Sequence, residues 1–307
     1  MKKIIETFKN LYNEENSFKN HLTLVGMFLL PALLGVSIQF LDNDFLEFRS
    51  SVFVLIVVFS LLSIVPLLFL IGYYFNFIHK RLNGETSGLP VIDWNSVVRG
   101  VKTIPLYFVW GLYILIPFLI YSFALVLLFG STFLIGGANV YSFVLSVFVL
   151  ILGGLLAFIP LFIITPFIMA VYFKYSENFE YQKSLFNPLL PFKFMKKAFK
   201  EFMMVALKYL AVALVTNIAF QFIIGLVMLI IVLFAVAIVI ISSNATTFGS
   251  NPIFISAVLL VSGIFGMLSA YVSQMVGFAY TDNLIDVYKD KIMEKEVEVE
   301  TKIQEEK

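Results

Sequence analysis

The sequence predicts an all-α, polytopic transmembrane helical bundle with six spans, and three observations support that prediction. Hydrophobic residues make up 60% of the 307-residue chain and charged residues only 13%, whereas soluble domains carry about 25% charged residues. Six apolar stretches are long enough to cross a bilayer, which takes about 20 helical residues. Lys and Arg are concentrated in alternate connecting segments. A surface so poor in charge requires lipid to cover much of it.

The six stretches define a predicted membrane domain over residues 22–280. We expect each stretch to be helical, because a lone strand would leave its backbone groups unpaired in lipid. Mostly polar residues precede the first stretch and no small-residue cleavage site follows it, so we interpret it as a retained span and not as a signal peptide. The predicted spans are 22–41, 52–78, 104–130, 142–173, 209–241 and 253–280.

The orientation of the spans follows from the positions of the basic residues, since cytoplasmic loops carry an excess of Lys and Arg. The segments 1–21, 79–103, 174–208 and 281–307 hold 20 basic residues, and the opposite loops hold only Arg49. This asymmetry places both termini in the cytoplasm. Residues 1–21 are then a cytoplasmic amphipathic segment, and 281–307 an acidic cytoplasmic tail.

The short outer loops, 42–51, 131–141 and 242–252, group the spans into three consecutive helical hairpins. A short amphipathic segment precedes each hairpin on the inner side, as is typical of helices that lie in the membrane interface. Small and aromatic residues recur where the second, fourth and sixth spans end. One explanation of this recurrence is an internal threefold repeat. The alternative is the general enrichment of aromatic residues at membrane interfaces, which explains the aromatic residues but not the small ones.

Proline interrupts the first four predicted spans, whereas spans five and six lack internal proline. Proline removes a backbone hydrogen bond and kinks a helix. Such kinks shape cavities or act as hinges, although ordinary membrane helices also carry them. The prolines concerned are Pro31, Pro66, Pro117, Pro160 and Pro166.

The segment after the second span carries a more specific pattern. It contains, in order, Gly72-Tyr73, Gly84-Glu85, Leu89-Pro90, Asp93-Trp94 and Gly100. This order resembles the signature of the DUF4013 family of prokaryotic membrane proteins, and residues 16–26 are similar to the segment that enters the family's first span, with Phe18 where Trp is expected. The resemblance covers about residues 1–110. It implies a prokaryotic cell membrane and several spans, and it implies no activity.

The chain offers little for catalysis or metal binding. It has no cysteine and only two histidines, and no Asp, Glu, Arg or His lies in the middle of a predicted span. Ionisable residues inside a membrane mark proton and ion pathways, so a proton-coupled carrier is disfavoured. A net charge of +1 gives no bulk attraction for nucleic acid. We therefore expect no enzyme, no cofactor, no metal site and no nucleic-acid partner.

Polar residues in the fifth and sixth spans form one candidate site: Asn217, Gln221, Ser273 and Gln274. Asn217 and Gln221 are four positions apart and share a helix face. A polar ligand between the two spans is one interpretation. The alternative is hydrogen bonding between helices, which commonly joins membrane spans.

Basic and interfacial residues of the inner segments form a second candidate, a dock for lipid headgroups or a cytoplasmic partner. Its members are His79, Lys80, Arg81, Asp93, Trp94, Lys193, Lys196, Lys197 and Lys200. Gly84 and Gly88 permit turns, Pro90 keeps its neighbour extended, and Asp93 can cap the next helix. The alternative is a purely structural elbow between two hairpins.

Together these features predict a non-enzymatic membrane protein that binds lipid or helps move an apolar or amphiphilic small molecule. The alternative is a permease subunit coupled through the inner loops to a cytoplasmic ATPase. Membrane lipids are the expected partners, with a cytoplasmic protein as the second candidate, and the sequence leaves the oligomeric state open.

Overall fold

A computed structural model describes residues 2–13, 17–29, 50–85, 88–136, 140–242 and 252–293. All secondary structure in these ranges is helical. The chain forms seven described α-helices, and a short 3₁₀ helix, Lys183–Phe186, lies between the fifth and the sixth. The helices are α1 (Lys2–Tyr12), α2 (Ser17–Met27), α3 (Ser50–Leu82), α4 (Asn95–Gly136), α5 (Val140–Ser176), α6 (Leu190–Ser242) and α7 (Pro252–Tyr288).

Four of the described helices contain stretches long and apolar enough to cross a membrane. These stretches are Ser60–Leu82, Asn95–Ala124, Phe143–Ser176 and Leu190–Val227, and they overlap predicted spans two to five. Their exposed surfaces carry large apolar side chains such as Ile120, Phe123, Phe148 and Phe222. Apolar surface of this extent favours a membrane-embedded protein.

Several predicted features lie wholly or largely outside the described residues. They include most of the first span, the loops at 42–49 and 243–251, Arg49, Pro31 and the tail from residue 294. The count of six spans, the three hairpins and the threefold repeat therefore stay predictions.

The chain divides into two compact units. Unit 1 comprises Met1–Val101 and Leu207–Asp282, and unit 2 comprises Lys102–Ala206 and Asn283–Lys307.

In unit 1, α3 and α4 cross with their backbones in contact. A Cβ atom built on Gly72 would lie 1.7 Å from the carbonyl oxygen of Ser96, and one built on Gly100 would lie 1.9 Å from that of Leu68. Only glycine fits at these two positions, because any side chain would force the helices apart.

The segment between α3 and α4 is an elbow whose local chemistry matches the sequence prediction. Gly84 and Gly88 have φ values of +89° and +65°, in the left-handed region that favours glycine. The Asp93 carboxylate accepts hydrogen bonds from the backbone N–H of Ser96 (3.1 Å) and from its hydroxyl (3.0 Å), which caps α4. The buried Tyr73 hydroxyl donates to the carbonyl of Pro90 at 2.9 Å.

The buried Arg81 side chain stabilises this elbow by hydrogen bonds and an ion pair. Its guanidinium donates to the carbonyls of Glu85 (2.8 Å) and Gly88 (3.2 Å), and its Nε lies 3.2 Å from an Asp282 carboxylate oxygen. It also lies over the Phe77 ring, 5.1 Å from the ring centroid. The side chain is almost fully buried, so its charge is neutralised within unit 1.

The amphipathic helix α1 is also fixed within unit 1. The carbonyl of Asn10 accepts the backbone N–H of Gly88 at 2.8 Å. The Tyr12 ring stacks on His21 with 4.2 Å between centroids, and the Tyr271 hydroxyl lies 2.7 Å from His21 Nδ1. One face of this helix therefore packs on protein through Leu11, which is buried.

Unit 2 has an aromatic core around the end of α7. Tyr288 is fully buried, makes edge contacts with Phe173 and Phe194, and donates from its hydroxyl to Glu177 at 2.8 Å.

One element boundary differs from the sequence prediction. Helix α7, which covers the predicted sixth span, runs past residue 281, where the tail was expected to begin, and is followed by a π-helical turn, Lys289–Met293. The buried residues of this extension, Leu284, Ile285, Tyr288 and Ile292, recur at helical spacing. Non-helical backbone at Ala198 (φ −149°, ψ 37°) kinks α6 between the amphipathic segment and predicted span five.

Candidate functional site

Unit 2 contains an apolar cavity of about 700 Å³ between α4, α5 and the first turns of α6. Cavities of this size are typical of small-molecule and cofactor sites, which run from about 300 to 1,000 Å³. We call it the α4–α6 cavity.

The α4 wall is a single helical stripe. Its residues follow the spacing i, i+3, i+4, i+7 that places side chains on one face of a helix. Eleven residue steps at 1.5 Å each make the stripe about 16 Å long. The stripe consists of Trp110, Tyr113, Ile114, Pro117, Phe118 and Tyr121.

The opposite wall comes from α5, and the floor from the residues that lead into α6. The α5 residues are Leu156, Pro160, Leu161, Ile163, Ile164 and Ile168, and the floor residues are Pro188, Pro191, Phe192 and Met195. Pro117 and Pro160 thus line the cavity from facing helices. Each lacks the N–H that would continue the hydrogen bonding of its helix; the interpretation that kinks at these prolines shape a cavity stays a prediction.

The three polar side chains of the lining all bond to backbone carbonyls. Trp110 Nε1 donates to Leu185 at 3.0 Å, the Tyr113 hydroxyl to Phe186 at 3.1 Å, and the Tyr121 hydroxyl to Gly153 at 2.6 Å. The other lining residues have apolar side chains. A polar ligand would lose its hydration here and gain few polar partners, so the cavity suits an apolar ligand.

The connector 177–189 bonds to the end of the α4 stripe that begins at Trp110. Its 3₁₀ helix supplies the carbonyls that hold Trp110 and Tyr113. Tyr181 donates to the carbonyl of Lys102 and stacks on Phe186 with 5.7 Å between centroids. Partial burial and the hydrogen bond to Tyr175 raise the pKa of the Tyr181 hydroxyl. The hydroxyl therefore stays protonated at physiological pH.

The side of the cavity opens at the protein surface. Leu156 is 55% exposed, and Phe118 and Phe192 are also exposed although they line the cavity. On a membrane-length helix such a surface faces lipid chains, so an apolar ligand could enter sideways.

Four lysines lie close in sequence to the floor residues of the cavity. Lys193, Lys196, Lys197 and Lys200 of the predicted dock all lie exposed in the first turns of α6, next to the lining residues Phe192 and Met195.

Most members of the predicted dock that belong to unit 1 make side-chain contacts within that unit. Arg81 is buried in the elbow, and Asp93 caps α4. Lys80 donates to the carbonyl of Leu89 at 3.2 Å, and His79 Nε2 lies 3.1 Å from the Asn83 amide. Trp94 is 70% exposed, as expected of an interfacial anchor.

The four polar residues of the other candidate site lie outside the α4–α6 cavity. Asn217, Gln221 and Ser273 are exposed, and Gln274 is half-buried. A polar ligand between spans five and six therefore stays a prediction. Within the described ranges, no group of three or more His, Asp or Glu residues is arranged to hold a metal ion.

Of the cavity residues, only Pro117 and Pro160 were singled out from the sequence. The available signal was the stripe of aromatic residues and proline from Trp110 to Tyr121, which has the same spacing as an ordinary lipid-facing stripe.

No protein-family model, no curated protein and no solved structure matches the chain. The resemblance to the DUF4013 family therefore stays a prediction.

Proposed function

We propose that this chain is a non-enzymatic, multi-pass membrane protein that binds a lipid acyl chain, or the apolar part of another amphiphile, in the α4–α6 cavity. The observation that supports this is the chemistry of the lining. Every polar side chain in it is bonded to a backbone carbonyl, and the rest is apolar. The lateral opening gives a chain in the bilayer a route into the site.

The proposed setting is a prokaryotic cell membrane crossed six times, with both termini in the cytoplasm. The distribution of basic residues, 20 against one, supports this orientation. In this topology the connector and the lysines of α6 lie at the cytoplasmic interface, and the α4 stripe extends from there toward the middle of the bilayer.

Fluorescence quenching by lipids with brominated chains tests the proposal, because the chain has only two tryptophans. A Trp94→Phe background leaves Trp110, which is 3% exposed, as the only emitter. We expect saturable quenching of Trp110 in this background.

A pair of variants on α5 provides the control. Ile164 lines the cavity, whereas Ile159 on the same helix is exposed and lies outside the lining. Ile164→Phe should reduce the saturable quenching and Ile159→Phe should leave it unchanged. Equal quenching in both variants would mean that the chain reaches Trp110 by another route and would overturn the proposal.

The permease alternative remains a separate proposal, supported by the basic inner segments 79–103 and 174–208. Purification from native membranes in mild detergent, followed by mass spectrometry, distinguishes it. A stoichiometric soluble ATPase would favour the permease, and its absence would weigh against it.

A further inference from the structure

We infer that the ligand of the α4–α6 cavity is an anionic phospholipid, and that Lys193 and Lys196 bind its phosphate. This inference rests on the proposed function and names the class of headgroup.

The lysine pair lies beside the floor of the cavity. Phe192 and Met195 both line the floor. Lys193 directly follows Phe192, and Lys196 comes four positions after it, which places Lys196 on nearly the same side of the helix. A chain that occupies the cavity would therefore have its headgroup at these two ammonium groups.

Both lysines are exposed, and no carboxylate among the described residues forms a salt bridge with either one. This contrasts with Arg81, whose charge is neutralised by Asp282. The lysine pair is therefore available to an external anion.

The neighbouring sequence adds positive charge. Residues 183–200 contain five lysines and no acidic residue, and the first carboxylate after them is Glu201. The helix α6 begins at Leu190, so the positive end of its dipole lies at the same place. A zwitterionic headgroup would gain less here than an anionic one, because its cationic group meets the same field.

The cavity makes this site different from general attraction of lysines to an anionic membrane. A chain held by the apolar walls fixes one phosphate next to the lysine pair, so binding should saturate at one lipid per chain. A substitution that blocks the cavity, or one that removes the lysine pair, should weaken lipid binding.

Competition between two lipids with identical chains tests the inference. The purified full chain is delipidated, mixed with equal amounts of phosphatidylglycerol and phosphatidylcholine, and the single-lipid adduct is measured by native mass spectrometry. We expect phosphatidylglycerol to dominate. Each lysine near a membrane surface contributes roughly a fivefold preference, so Lys193→Gln with Lys196→Gln should remove most of it.

The control is a double variant that removes the same amount of positive charge, Lys9→Gln with Lys19→Gln. Both lysines are exposed and belong to unit 1, outside the cavity. It should keep the preference. Loss of the preference to the same extent in both double variants would show a general field effect and overturn the inference.

Equal adducts of the two lipids that disappear in Ile164→Phe would also overturn the headgroup inference while leaving chain binding intact. No retained adduct of either lipid would overturn both proposals.

Discussion

At the scale of single residues, two cations of this protein lie in very different surroundings. Arg81 and Lys196 are both cations in segments predicted to face the cytoplasm. Arg81 is buried against Asp282 and two backbone carbonyls, whereas Lys196 is exposed beside an apolar cavity. Burial and partners, not charge alone, separate a structural cation from one that is available to a ligand.

The role of Arg81 is tested by Arg81→Met. The substitution leaves Asp282 without its ionic partner and the carbonyls of Glu85 and Gly88 without their donor. Removing one partner of a buried ion pair costs about 3–5 kcal/mol, and we expect the lower end because Asp282 keeps some contact with water. The apparent melting temperature in detergent measures this.

Arg81→Lys is the informative companion variant. Lysine keeps the charge but lacks the planar fork that reaches two carbonyls and a carboxylate together. It should recover only part of the lost stability. Full recovery, or an unchanged melting temperature in Arg81→Met, would show that the elbow does not depend on these hydrogen bonds.

At the scale of helices and connectors, local chemistry sets the turns and caps, and two glycines set the closest crossing. Gly84, Gly88 and Asp93 act through their own backbone or their nearest neighbours, so the sequence is sufficient to predict their roles. The contact of Gly72 with α4 could not be predicted in this way, because it depends on where a second helix lies.

The crossing of α3 and α4 predicts opposite effects for two Gly→Ala substitutions. In Gly72→Ala the new methyl group would meet backbone at 1.7 Å. Overpacking costs about 1–3 kcal/mol, and rigid backbone places this case near the top of that range.

Gly111→Ala on α4 is the matched control. Apart from the backbone of its own helix and its two chain neighbours, no atom lies within 4 Å of the Cβ position there, and alanine favours helix over glycine by up to about 1 kcal/mol. Thermal unfolding in detergent should show a lower midpoint for Gly72→Ala and an unchanged or higher one for Gly111→Ala. A similar decrease in both would argue against a close crossing at Gly72.

At the scale of the whole molecule, the sequence predicts helical content and apolar segments better than it predicts a site. Hydrophobic runs are a property of consecutive residues, and four of the predicted spans overlap the membrane-length helices. The α4–α6 cavity combines side chains near residues 110, 164 and 192. Each wall alone resembles an ordinary lipid-facing surface, so only the assembled helices distinguish a cavity from the outside of a span.

The proposed orientation of the molecule can be tested cleanly because the chain has no cysteine. We expect an impermeant maleimide to label Ser250→Cys in cells with an intact cytoplasmic membrane, since residue 250 lies in a predicted outer loop. Ser184→Cys, in the inner segment 174–208, should be labelled only after permeabilisation. The reverse pattern would invert the topology and place the lysine pair outside.

The most direct test of the central claim, that an acyl chain occupies the α4–α6 cavity, is to vary the position of bromine along the lipid chain. In the Trp94→Phe background only Trp110 emits, and it lies at the end of a stripe about 16 Å long. We predict stronger quenching by bromines near the headgroup than by bromines near the chain end, and a loss of this difference in Ile164→Phe. Quenching that does not depend on bromine position, and does not change in Ile164→Phe, would contradict the account.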